Sequence, residues 1–207
     1  MSTLSELRDT IEADLRDSGN TLWSTSELDQ HIRHALRVYS QADPRCLSAT
    51  VACTAGEREY ALTSVSGALI EVLDVWYPWD STAPAYPPPR PPWSLVGSAI
   101  LLETARAPEA GEHLRVFYSA PHTLSGLDSA TTTTLDASGE QAVALLAEAW
   151  AVYQYAATSI NTVTVSGDTP RHLQEWAGAR LALAQHELEC IRLCRIRQQD
   201  ARTAWAL

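Results

Sequence analysis

The sequence predicts an α+β fold, mainly α, in which a four-helix bundle-like core carries a β-rich insertion between its second and third helices. Three observations predict it. Two capping boxes near the N-terminus each open a helical apolar stripe. The middle of the chain alternates with period two and is punctuated by proline and glycine. Two alanine-rich stretches with helical spacing follow. The expected layout is a helix pair over 1–44, the insertion over 45–123 with a proline-rich arm at 83–92, a long helix pair over 124–198, and a tail over 199–207.

Thr3-Leu4-Ser5-Glu6 is the first capping box, and Leu4, Leu7, Ile11 and Leu15 follow at helical spacing; Ser18-Gly19-Asn20 should end this helix. Ser24-Thr25-Ser26-Glu27 is the second box, with Trp23 placed to act as a hydrophobic staple. Leu28, Ile32, Leu36 and Tyr39 make its stripe, which ends before Pro44.

Leu47, Ala49, Val51 and Cys53 then alternate with Ser48, Thr50 and Ala52, as in a half-buried strand. A turn at Thr54-Ala55-Gly56-Glu57 would return Tyr60–Leu62 as its hairpin partner. Leu69–Tyr77 is rich in β-formers. Trp93–Glu103 and His113–Ala120 read as a further strand pair joined across Pro108–Gly111. Between them, Ala83–Pro92 holds prolines at 84, 87, 88, 89, 91 and 92, which fit neither a ladder nor a helix and favour an extended, exposed arm. Trp76, Trp79, Tyr86 and Trp93 flank or interrupt it. Such an arm is a partner-docking segment or a stiff surface loop.

Leu124–Ser138 is threonine-rich and reads as a loop, with Asp136 or Ser138 able to cap a third helix whose stripe is Val143, Leu146, Trp150 and Tyr153. Asp168-Thr169-Pro170 is a helix start. The fourth helix carries Leu173, Trp176, Ala177, Leu181, Ala184, Leu188 and Ile191 and is expected to reach about Gln198.

The chain has 207 residues and a net charge of −10. All 15 basic residues are arginine. An acidic balance opposes general duplex-DNA binding, which needs cations to displace counterions, yet suits a surface along which DNA must slide. No run of about 18 apolar residues suggests a membrane span, and the N-terminus lacks the basic and apolar blocks of a signal peptide. The expectation is a protein that stays in the cytoplasm where it is made, without membrane attachment.

Motifs of chemistry are missing. There is no dinucleotide or phosphate-binding glycine loop, no nucleophile elbow and no His-Glu-x-x-His sequence, so neither an enzyme nor a cofactor is expected. His31 and His34 at i, i+3 read as solvated helix-edge residues. His186, Cys190 and Cys194 share a helix face and could begin a zinc site or a thiol sensor, but closure would need a fourth ligand. Buried thiols are the default for all four cysteines, so no metal is expected. Glu140 and Glu148 read as helix-surface carboxylates. The last stretch is basic, with Arg192, Arg195, Arg197 and Arg202 against Asp200, and closes on Trp205 and Leu207. Arginine and tryptophan are typical interface anchors, so this segment reads as a docking tail.

Leu7, Arg8, Leu15, then Leu22-Trp23-Ser24, Glu27-Leu28, Ile32, Ala35-Leu36 and Tyr39-Ser40 resemble the opening of tailed-phage head-to-tail adaptor (head completion, or connector) proteins. The alanine-rich final helices with Trp150, Tyr153, Tyr155, Trp176 and Arg180 extend the resemblance, as does β structure between the helix pairs. It implies a structural virion protein of the neck, between capsid and tail. Such proteins are ring subunits, commonly twelve to a ring, bound to the portal protein on one side and a tail or neck protein on the other, with DNA passing through the lumen unbound. Arg192, Arg195, Arg197, Arg202, Trp205 and Leu207 would then meet the portal, and Trp79, Tyr86, Arg90 and Trp93 of the arm a partner or neighbouring subunit. A tail-completion protein or a metal- or thiol-sensing helical module are the alternatives.

Overall fold

The computed structural model describes residues 2–65, 69–159 and 169–204, with side chains beyond Cys194 outside the description. The fold is α+β and mainly α: four helices and two small antiparallel sheets, with every strand between the second and third helices. The chain divides into two units, residues 44–121 and the remainder on either side of them.

The helical unit starts with α1 (Leu4–Leu15) and α2 (Thr25–Ala42). Both capping boxes form: Thr3 and Ser24 accept from the backbone N–H groups of Glu6 and Glu27, and each glutamate reaches back to its cap. The first helix ends earlier than Ser18, because Arg16 adopts a left-handed conformation (φ 55°) and the N–H groups of Arg16 and Asp17 turn back onto Ala13 and Glu12. Asp17 then organises the connection. Its buried carboxylate accepts from the backbone N–H groups of Thr21, Leu22 and Trp23 and from the Thr21 hydroxyl. These bonds, led by the Thr21 hydroxyl, pull its pKa down to about 2. Trp23, thereby fixed, donates its indole N–H to the Ala151 carbonyl, 3.1 Å away.

The third helix, α3 (Ala137–Ser159), is capped by Asp136, which accepts from the Gly139 N–H at 2.7 Å. Its buried set is broader than the stripe Val143, Leu146, Trp150 and Tyr153. Ala142 through Ala149, together with Ala151, Val152 and Ala156, are buried, whereas Trp150 lies at the margin. A helix apolar on nearly all sides is one surrounded by others, and α3 packs against α1, α2 and α4. The fourth helix, α4 (Thr169–Ala204), has 36 residues against 23 for α3. At 1.5 Å per residue that is about 54 Å against about 35 Å. Among the described side chains its inward residues run from Leu173 and Ala177 to Leu188 and Ile191. The helix therefore continues through most of the expected 199–207 tail; residues 205–207 lie outside the described chain.

The strand unit holds β1 (Arg45–Ala52), β2 (Glu59–Ala61), a 3₁₀ turn (Leu62–Ser64), β3 (Glu71–Trp76), β4 (Trp93–Val96), β5 (Ala99–Leu102) and β6 (His113–Ala120). One sheet has the order β1-β6-β3 and the other β2-β5-β4, all antiparallel. Val75, Ile100, Leu102, Leu114, Val116 and Tyr118 lead its own core. Two pairings differ from the sequence expectation. The run 47–53 does not form a hairpin with 60–62, because β1 pairs along its full length with β6, and β2 pairs with β5. Trp93–Glu103 is itself a hairpin rather than one strand of a pair with His113–Ala120. Its two-residue loop is Gly97-Ser98, where Gly97 takes the positive φ (60°) that this tight connection requires.

The N-terminus of α3 lies hard against α2. A Cβ built on Gly139 would stand 2.7 Å from the Tyr39 hydroxyl oxygen and 2.8 Å from its ring carbon, and Tyr39 is itself buried. Gly139→Ala is expected to cost about 1–3 kcal/mol by overpacking. A lowered urea midpoint at unchanged slope would show it; an unchanged midpoint would mean that Tyr39 yields freely.

Candidate functional site

Among the expected docking residues, Arg192 is exposed and follows Ile191, which packs on the core. Arg195, Arg197 and Arg202 follow on the same helix, with side chains outside the description. Trp205 and Leu207 lie outside the described residues. The helix leaves large apolar side chains in solvent: Trp176, Leu183 and Leu193 are 37%, 45% and 55% exposed. Leu193 is followed in sequence by Arg195, Arg197 and Arg202 on the same helix.

The arm residues divide. Tyr86 projects, 88% exposed, at the tip of the proline segment. Trp93 opens β4 and packs against the strand-unit core. Arg90 pairs with Asp74 of β3 at 3.0 Å, and the Asp74 carboxylate also accepts from the Trp76 indole N–H. Trp79 donates its backbone N–H to the His113 carbonyl and lies beneath the Arg115 guanidinium, 4.8 Å from ring centre to Cζ. Together with the Tyr77 N–H bonded to the Pro89 carbonyl, these contacts pin the proline segment at both ends and leave its tip free. Beside it opens a cleft of about 710 Å³ lined by Trp79, Asp80, Pro89, Glu112 and His113, among others. The Trp79 indole N–H is buried in this region without an acceptor.

The metal candidates come out differently from the core expectation. Of the four cysteines only Cys53 is buried; Cys46, Cys190 and Cys194 are exposed. The 186–194 face of α4 looks to solvent because α3 covers only the side carrying Ala177, Ala184 and Leu188. Cys190 Sγ and His186 Nε2 are 4.0 Å apart. Among the described residues, no group of three or more such side chains is arranged to hold a metal. His31 is half-buried rather than solvated, and burial lowers its pKa. His34 stacks edge-on against Trp150 at 5.1 Å.

Glu140 and Glu148 are not plain surface carboxylates. Glu140 accepts from the Ser2 backbone N–H and hydroxyl at 2.6 and 2.8 Å, tying the start of the chain to α3. Glu148 is 1% exposed. It borders a cavity of about 250 Å³ with Asp14 of α1 and Arg180 of α4. The Arg180 Nε lies 3.5 Å from Glu148 Oε2, an oxygen that accepts no hydrogen bond. Burial raises the Glu148 pKa to about 7; Arg180 opposes the shift and Asp14 adds to it. A signal was available in the sequence, since Glu148 is the one charged residue between Gln141 and Tyr153.

No family model matches the chain, and no curated protein matches it. Among solved structures it is similar to a chain of the neck of an empty GTA particle, computed with C6 symmetry. The identity is 16% and the TM-score 0.32, over 84% of this chain and 87% of that one.

The exposures predict thiol chemistry directly. Cys46, Cys190 and Cys194 are expected to react with a disulfide reagent within the mixing phase, and Cys53, whose pKa burial also raises, only as the strand unit opens. Mass spectrometry of the time course gives the order; early labelling of Cys53 would contradict the strand-unit core.

Proposed function

We propose that the chain is a structural subunit of a phage-type neck: a head-to-tail adaptor that forms a ring under the portal, joins capsid to tail and lets DNA pass through its lumen. The observation that carries the reading is α4. Its described residues leave Trp176, Leu183 and Leu193 in solvent, and its sequence runs on through Arg192, Arg195, Arg197 and Arg202, a mix of tryptophan, apolar residues and arginine that suits a covered interface. Three further features support it. The α1–turn–α2 opening, with its two capping boxes and Trp23, is the segment that resembles adaptors. The net charge of −10 suits a lumen that DNA must not adhere to. The pinned proline segment offers Tyr86 to a neighbour or a tail-side partner.

In this reading Arg192, Arg195, Arg197, Arg202, Trp205 and Leu207 meet the portal, and α1 to α3 form the ring wall. Tail or neck proteins bind the opposite side, and the site of action is the virion.

Mass photometry of the purified chain, with and without a portal protein from the same genome, tests the proposal. A ring-sized species, alone or on adding portal, is the expected outcome. A monomer or dimer that ignores portal would overturn it and direct attention to metal binding at His186 and Cys190. Deleting residues 199–207 should leave the fold intact and the melting temperature unchanged and abolish portal attachment, since among the described side chains Ile191 is the last packed on the core. An unfolded truncation would instead make this segment part of the fold.

A further inference from the structure

Between the end of α2 and the loop that leads into α3, one imidazole meets an acceptor at each of its nitrogens. His122 Nε2 lies 2.8 Å from the Asp43 carbonyl oxygen, and Nδ1 lies 3.0 Å from the Thr134 carbonyl oxygen. Packed neighbours hold the ring there. The His122 backbone N–H donates to the Ser40 hydroxyl at 2.9 Å, and Ser40 in turn donates to the Leu36 carbonyl at 2.7 Å. Tyr39 stands edge-on to the imidazole, 5.1 Å between ring centres. Ser40 and Tyr39 are each 2% exposed, so the ring cannot swing toward α2 without disturbing buried side chains. All of these residues belong to the helical unit.

A carbonyl oxygen only accepts, whereas a neutral imidazole carries a single N–H. With the proton on Nε2, the Nδ1 lone pair faces the Thr134 oxygen; with the proton on Nδ1, the Nε2 lone pair faces the Asp43 oxygen. Either neutral form sets lone pair against lone pair at hydrogen-bonding distance, and the imidazolium satisfies both contacts. The Thr134 hydroxyl is the donor nearest a bare Nδ1, but at 3.2 Å it is far for an O–H. The surrounding charge works the same way. Asp43 caps the C-terminal end of α2, where the helix dipole favours a cation. Its carboxylate accepts from the Tyr39 hydroxyl at 3.3 Å. Asp136, ahead of α3, accepts from the Gly139 N–H. The cations of α2 are turned elsewhere, Arg33 to Asp128 and Arg37 to His34. Half-burial of the ring disfavours its charge, but two direct acceptors and a helix end favour it.

We propose that His122 is a pH-sensitive clasp: as imidazolium it ties the end of α2 to the loop before α3, and losing one proton releases one of the two ties. The chain leaves the helical unit after Asp43 and re-enters it at His122, so the clasp closes the root of the strand-bearing segment. The sign follows from linkage. A histidine that binds its proton more tightly in the folded chain contributes stability that is fully present below the unfolded value of about 6.5 and is lost as pH rises through the folded value. Between the two values this group alone raises the unfolding equilibrium constant by up to about tenfold per pH unit, and the effect levels off above them. The clasp stands whether or not the chain forms a ring.

Ring ¹⁵N spectra of the histidines in the full chain, followed from pH 5 to 9, test the clasp. His122 should carry a proton on both nitrogens at neutral pH and titrate above the ordinary value of about 6.5. One bare ring nitrogen at neutral pH, or a titration at or below that value, overturns the proposal. Urea unfolding over the same range gives a second readout. Glu148 is protonated up to about 7 in the folded chain, and its contribution is also lost as pH rises, so wild type is compared with His122→Gln rather than read alone. Relative to the variant's, the wild-type unfolding constant should rise by up to about tenfold per pH unit until the folded value is passed. Parallel profiles overturn the clasp. The ring spectra need no variant, so they decide if His122→Gln folds poorly. Neither measurement involves a ring assembly or a portal, so the result is separate from that of the assembly test.

Discussion

Close approach to α3 is the constraint on which the helical unit depends. The other three helices all pack on it, and they reach it because so much of its surface is alanine: Ala142, Ala144, Ala147, Ala149, Ala151 and Ala156 are all buried. Small side chains let neighbouring helix axes approach, and what is lost in buried area per residue is made up by dense contact. Gly139 against Tyr39, and Gly178 of α4 with the Tyr153 hydroxyl 3.3 Å from where its Cβ would be, mark the tightest points. Larger residues on this helix would push its neighbours apart, so its composition is dictated by position rather than by helix propensity alone.

Two buried carboxylates show how environment, not burial alone, sets ionisation. Asp17 has four donors converging on it, from Thr21, Leu22 and Trp23, and stays charged far below neutrality. Glu148 has one distant guanidinium and one neighbouring acid, and its proton is retained to about pH 7. The first is a structural brace: it closes the turn that aims α2 and seats Trp23 on α3. The second is a poised group, with an unsatisfied oxygen facing a cavity. Natural cores leave few such groups unsatisfied.

Local chemistry was legible in the sequence, and long-range pairing was not. The capping boxes of Thr3 and Ser24, the Asp136 cap and the packed face of α4, save for the exposed Trp176, depend on residues within a turn or two of one another, so they read correctly from spacing. The β1–β6 ladder joins Arg45 to Ala120, and nothing local distinguishes that partner from the nearer Tyr60. The Gly97-Ser98 loop did carry its own mark, a glycine opening a two-residue connection, but an apolar run on both sides masks it as a single strand. Glu148 likewise stood out as a lone charge in an apolar run. Its burial follows from α3 being covered on almost every side, and a one-stripe reading of that helix leaves it on the surface. The residues proposed to dock read only as composition, four arginines near an aromatic.

The strand unit leaves and re-enters the helical unit at almost the same point. His122 donates from Nε2 to the Asp43 carbonyl at 2.8 Å, and its backbone N–H donates to the Ser40 hydroxyl, so the residues on either side of 44–121 are fastened to each other. Tyr39 stacks edge-on against the same imidazole. A segment whose ends are already clasped behaves as a cassette. The cost of closing the gap depends only weakly on what fills it, and the helices need not register its replacement by a shorter loop or an unrelated β module. Chains sharing these four helices could thus diverge freely in this segment, and overall similarity between them would be low even where the helical frame is common.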